Sequence, residues 1–179
     1  RGKIAMGMYI EVENLDPTKV GAVSQGKIGD LTKLIRVDNA SISRSNPLYM
    51  QVGNMADIKG NNLSFSELTI SRRADGVSAL LATWFYKQIQ EPRKVTLLIT
   101  KGGGGNVGDI PVYKAELEGC FLTNQSISSS FEGDMQESFS ITYQTLSETY
   151  YAKDDKGTVK AGAAVKYDLK ENKLVSEAK

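Results

Sequence analysis

The residues of this chain best suited to chemistry are a glycine run, a carboxylate pair and one thiol. Gly103-x-Gly105-x-x-Gly108 matches the dinucleotide fingerprint letter for letter. That fingerprint works only where a helix N-terminus comes next to receive the pyrophosphate. The chain continues instead into Asp109-Ile110-Pro111-Val112-Tyr113, a strand-like run with an early proline. The glycines therefore read as a flexible hairpin connection, and a phosphate-binding P-loop is excluded because no Gly-Lys-Ser/Thr ends the run. Glu116 and Glu118 project from one face of a strand, as paired acid–base carboxylates sometimes do. A solvated polar face explains the same pair. Cys120, the only cysteine, sits in the apolar frame Gly119-Cys120-Phe121-Leu122 and reads as a small buried hydrophobe. Asp154 and Asp155 lack the ligand spacing of a calcium loop. The chain has no histidine, which removes Ser-His and Cys-His dyads and the commonest transition-metal sites. No catalytic residue, metal or cofactor is expected, and the chain does not read as an enzyme.

The elements that would position these groups are mostly strands. Tyr9, Ile10 and Val12 form a first short strand bounded by Asn14 and Asp16-Pro17. Lys19 to Ser24 reads as a weak second strand, and Lys33 to Arg44 as extended chain. Ser45 to Asn62 is a long connection that carries Leu48, Tyr49, Met50, Val52, Met55 and Ile58, more apolar surface than a solvated loop needs. It reads either as a loop folded onto its own core or as a contact arm for a partner. Leu63 to Leu68 alternates with a phase switch near Glu67, the sign of a bulge or a change of environment.

One helix comes next, over about residues 75–88. Val77, Leu80, Leu81, Trp84 and Phe85 recur at three- and four-residue spacing, a stripe with one buried face. Asp75 is the expected N-cap, and Glu91-Pro92 ends the element. Arg72 and Arg73 precede it, with a surface role as the default and Asp75 or a neighbouring subunit as a partner for one of them. Arg93 to Lys101 reads as a strand buried on both sides at Leu98. Ile110 to Leu117, the serine-rich Phe121 to Ser130 and the alternating Glu137 to Ser147 are the next strands. In the last, Phe139, Ile141 and Tyr143 point inward and Ser138, Ser140, Thr142 and Gln144 outward. Val165, Tyr167 and Leu169 predict one more strand, and residues 171–179 a polar, frayed tail.

Bulk properties agree with a single domain over residues 6–170 that can bury a real core. Residues 1–5 are set aside as an expected expression remnant. Lysine and arginine (22) nearly balance aspartate and glutamate (21), so broad attraction to nucleic acid or to an anionic membrane is not expected. No apolar run approaches the ~20 residues of a membrane helix. The N-terminal RGKIAMGMYI lacks a signal-peptide core, so export by the general secretory route is not expected.

Taken in order, LSFSELTISRRADGVSALLATW, VTLLITKGGGG, PVYKAELEGCFLTNQSISSS, QESFSITYQTLSETY and KAGAAVKYDL resemble the hemolysin-coregulated protein (Hcp) family of bacterial type VI secretion over residues 61 to 170. The resemblance implies a mainly β fold, a compact antiparallel β-barrel or sandwich flanked by one α-helix and expected to form a ring. It also implies a function as inner-tube subunit. Hexameric rings with a wide channel would stack inside a sheath, meet spike proteins, hold small effectors and leave the cytoplasm without a cleaved signal. By position in the family pattern, Leu48, Tyr49 and Met50 are the expected subunit or ring-to-ring contact. The outward Ser138, Ser140 and Thr142, with Ser126, Ser128 and Ser130, are expected to face the channel, although ordinary solvent exposure explains the same faces equally well. A phage tail-tube protein and a monomeric β-sandwich binding module are the competing readings.

Overall fold

A computed structural model of the chain describes residues 6–20, 27–49, 59–60, 63–87, 89–102, 109–131, 133–153, 155 and 158–178, with 48, 49, 59 and 60 described in backbone only. In chain order the strands are β1 (Met6–Val12), β2 (Ile35–Arg36), β3 (Asn39–Ser41), β4 (Arg44–Ser45), β5 (Leu48–Tyr49), β6 (Lys59–Gly60), β7 (Ser64–Phe65) and β8 (Leu68–Arg73). The helix α1 (Val77–Tyr86) comes next. It leads into β9 (Arg93–Lys101), β10 (Ile110–Ser128), β11 (Gln136–Thr142), β12 (Thr145–Lys153), β13 (Val159–Ala161), β14 (Val165–Asp168) and β15 (Lys173–Ser176).

The ladders among the described residues are all antiparallel, and together they close a barrel. β9 pairs with β1 on one edge and β10 on the other. β10 passes to β11, β11 to β8, and β8 to β3. The gap between β3 and β1 is bridged by the chain itself. β2 pairs with β1, Val37 N–H donates to Met8 O (3.0 Å), and Asp38 N–H donates to Ser71 O (2.8 Å). Closure of this kind removes the edges that would otherwise seek partners. A flap of β12, β14 and β15 continues from the first half of β10 and ends at β15, which among the described residues pairs with no further strand.

The interior is set by the period-2 patterns. Ile10 and Val12, Leu68 and Ile70, Val95 and Leu97, Ala115 and Leu117, and Phe139 and Ile141 all point into one core. The outer side of β1 and β9 is also covered, by Ile28, Leu31 and Leu34 packed on Tyr9 and Leu98, which explains why Leu98 is apolar against the alternation. α1 seals the core with Val77, Leu81 and Trp84, each worth about 1.5–3 kcal/mol when fully buried. The helix begins two residues later than the periodicity suggests, and its N-cap position is Gly76, one residue after the expected Asp75. Asp75 Oδ1 accepts from Val77 N–H (2.8 Å), and Ser78 Oγ accepts in return from Asp75 N–H (3.1 Å).

Several expectations need correction. Pro17–Val20 is a 3-10 turn rather than the start of a strand, because the Asp16 side chain accepts from both the amide and the hydroxyl of Thr18; residues 21–26 lie outside the described residues. The two strands read between Ile110 and Ser130 are one, β10, which bends at Gly119 (φ 66°) instead of turning back. The single strand read from Glu137 to Ser147 is two, broken at Tyr143–Gln144 as the chain crosses from β11 to β12. The tail is not frayed throughout: Asn172 takes a positive φ of 51°, and Lys173–Ser176 pair with β14.

Arg72 is the clearest correction. It is the third inward residue of β8 after Leu68 and Ile70, and only 3% exposed. Glu137 stands opposite it in the ladder and is buried too. The carboxylate accepts from Arg72 Nη1 (2.5 Å) and Ser78 Oγ (2.8 Å), while Asp75 Oδ1 meets Arg72 Nη2 (2.6 Å). A buried charge needs its counter-charge within reach, and here it arrives from 65 residues away in sequence.

Candidate assembly surfaces

The outer face of β10, β11, β8 and β3 carries a distinct polarity. Two rows cross all four strands: Ser126–Ser138–Ser71–Asn39 and Asn124–Ser140–Thr69–Ser41. Every member is a neutral hydroxyl or amide. The rows align because a bulge between Leu122 and Asn124 resets the alternation of β10 as it leaves the core. Ser126 and Ser138 share a 2.6 Å hydrogen bond across the ladder. Thr142 extends the face beside Phe121, and Arg73 with Gln136 bounds its other end. Ser138, Ser140 and Thr142 are thus brought onto one half-exposed surface. Ser128 belongs to the same face, whereas Ser130 lies in the exposed turn after β10.

Among the described residues, the two ends of the long connection after β4 pair with each other as a ribbon. Arg44 and Ser45 pair with Phe65 and Ser64, and farther out Leu48 and Tyr49 pair with Gly60 and Lys59. Leu48 and Tyr49 therefore lie on a two-stranded arm; Met50 falls outside the described residues. The arm is fastened at its root. Ser43 N–H donates to Ser66 Oγ (2.8 Å), and Tyr143 OH donates to Ser66 O (2.8 Å). Arg44 pairs with Glu148, whose other oxygen accepts from Tyr113 OH (2.7 Å). Burial pushes the Tyr143 phenol up to about 12. Burial and the bond to the Glu148 carboxylate push Tyr113 up as well. Both phenols stay protonated and act as fixed donors. Sequence reading missed this network because its members are separated by up to 104 residues.

The tempting chemical groups are occupied otherwise. Lys94 Nζ lies 2.8 Å and Lys114 Nζ 3.2 Å from Glu116, and Lys166 Nζ lies 3.3 Å from Glu118. Burial alone would raise Glu116, but the lysine hydrogen bonds outweigh it and hold the carboxylate below its ordinary value. The Thr145 hydroxyl, aided by Lys166, lowers Glu118. Neither is then held protonated as a general acid must be. Burial pushes the Cys120 thiol up to about 12, far from the range of an active nucleophile. The glycine run joins two paired strands, Lys101 opposite Ile110, so no helix receives a phosphate; residues 103–108 lie outside the described residues.

The class these features define is a closed antiparallel β-barrel with one sealing helix and a projecting ribbon. Comparison with known families gives the particular one. The family described as type VI secretion system effector, Hcp, matches residues 9–150, and this chain belongs to it. The match begins well before residue 61, where the readable resemblance starts. Among solved structures, one described as a type six secretion system protein superimposes with a TM-score of 0.78 at 17% identity, covering 95% of this chain and 99% of that one. Hcp1 from Salmonella typhimurium gives 0.68 at 15% identity, with 96% and 100% covered. Hcp2 from the same organism gives 0.60 at 15%, with 93% and 98% covered. Identities this low speak for the fold. No curated protein matches by sequence.

Proposed function

We propose that this chain is a structural subunit, not an enzyme: the inner-tube protein of a bacterial type VI secretion system. Copies assemble into hexameric rings, the rings stack, and the face of β10, β11, β8 and β3 lines the channel. The observation that supports this most is the pair of neutral four-strand rows on a chain in which 24% of residues are charged. A wall lined with lysine or glutamate would hold cargo of the opposite sign, whereas hydroxyls and amides hydrate the wall and grip little. Ser138, Ser140 and Thr142 sit on this face. The arm that carries Leu48 and Tyr49, with Met50 next in sequence, reaches the next subunit or ring. Sheath and spike proteins are the further partners, and small effectors the cargo. The protein waits in the cytoplasm and leaves without a cleaved signal.

Light scattering with negative-stain imaging tests the reading. Six-fold particles with an open centre are expected. Monomers at every concentration would contradict it.

A further inference from the structure

An exposed knob and an apolar trough occur on the same chain, and the knob does not fill the trough of its own copy. The trough lies on the flap. One ladder row reads Leu117–Leu146–Tyr167–Leu174 across β10, β12, β14 and β15. It begins in the core, with Leu117 at 0% and Leu146 at 3% exposure, and ends on the margin with Leu174 at 48%. The Phe65 ring packs on Tyr167 with centroids 4.9 Å apart. Together with Leu63 and Val165 these residues line an open cavity of about 250 Å³ at the root of the arm. The core thus runs out to the sheet margin, where among the described residues no strand covers it.

The knob is the tip of the β10–β11 hairpin. Gly133 N–H donates to Ser130 O (3.2 Å), a tight turn that presents Phe131 outward and fully exposed. Ile127 and Met135 stand exposed beside it. The tip is held in place: Ala74 N–H donates to Met135 O (2.8 Å), and Arg73 pairs with Asp134 (2.9 Å). A pinned aromatic loses little freedom on docking, which suits it as an anchor.

Phe131 does not fill the trough of its own chain, since it is fully exposed. From Leu117 to Ser128 the strand β10 runs eleven residues, about 35 Å of path, away from the flap. We infer that Phe131 of one copy seats in the trough of the next, between Phe65, Tyr167 and Leu174. This rests on the ring reading and names the contact that builds the ring. Knob and socket are different surfaces, so the contact is head-to-tail and repeats until it closes. Charge does not oppose the contact: Asp134 at the tip is paired with Arg73, and Arg44 and Glu148 at the trough are paired with each other.

The full chain carrying both Phe131→Cys and Leu174→Cys, treated with a short bis-maleimide, tests the contact. Cys120 is buried and does not interfere. A ladder of covalent oligomers ending at a closed ring is expected, with no ladder from either single variant. Phe131→Asp should raise the half-assembly concentration by at least ~30-fold, the effect of losing an aromatic anchor, with the melting temperature unchanged. Intact rings without a ladder, or Phe131→Asp assembling like the wild type, would overturn this contact and leave the ring reading standing. A wild-type chain that stays monomeric would overturn the ring reading itself.

Discussion

The two halves of β10 present outer faces of opposite character, though they belong to one strand. Before Gly119 the outward residues are Lys114, Glu116 and Glu118, each tied to an opposite charge on its own strand, on β9 or on β14 two strands away. After it they are Asn124, Ser126 and Ser128, facing Ser140, Ser138 and Gln136. The first half is dressed as an ordinary solvent face, where ion pairs add solubility and little stability. In the second half the two rows through Asn124 and Ser126 carry no charge across four strands, and Arg73 stands only at the end of the face. A bend at one glycine, with a bulge just beyond it, lets a single strand serve both. The contrast gives the neutral face its meaning, since the same chain uses charge freely next door.

The largest effect is expected beneath the neutral face. Arg72→Ala or Glu137→Ala strands a buried charge and should lower stability by about 3–5 kcal/mol in denaturant titrations. Replacing both by leucine should recover much of that loss. A double variant as unstable as the sum of the singles would show that the pair is not coupled. Next comes the joint between the halves. Gly119→Ala forces a side chain onto a φ of 66° and puts its Cβ 2.7 Å from the Gln144 side chain, at a cost of about 1–3 kcal/mol. An unchanged midpoint would mean the bend needs no glycine.

The faces themselves should separate stability from assembly. Ser138→Lys with Ser140→Lys should shift stability by no more than ~0.5 kcal/mol, yet change the cargo that assembled rings retain toward acidic proteins. Lys94→Gln with Glu116→Gln should cost about 0–1 kcal/mol and leave cargo unaltered. Equal effects from the two pairs would erase the distinction between the faces. The smallest effect is on pH. Glu116 and Glu118 titrate below the ordinary value of 4.5 when folded. Their contribution is therefore present above that value and lost as pH falls through the lower, folded one. Glu116→Gln with Glu118→Gln should flatten that acid limb slightly, because solvent screens both groups.

Local pattern carried much of this into the sequence. α1 is legible because burial repeats at the period of a helix, β9 because it is an apolar run buried on both faces, and β11 because Phe139 and Ile141 alternate with hydroxyls. The polar rows of β11 are legible on one strand only; their continuation onto β8 and β3 depends on register, which pattern does not encode. Gly119-Cys120 reads as a boundary, since a glycine between strands more often ends one than bends it. Arg72 reads as a surface residue because its counter-charge, Glu137, lies on another strand. The ribbon of the arm is hidden because each ladder spans two residues, too few for alternation to register. β15 pairs two apolar residues, Leu174 and Val175, side by side with no alternation, so it carries no strand signal of its own.

The central claim is that copies assemble with the neutral face turned inward. A cryo-EM reconstruction of the assembled chain tests it most directly. The account predicts a six-fold ring whose lumen is walled by Ser138, Ser140 and Thr142, with Glu116 and Glu118 on another surface. A ring with the glutamates in the lumen and the hydroxyls outside would contradict it.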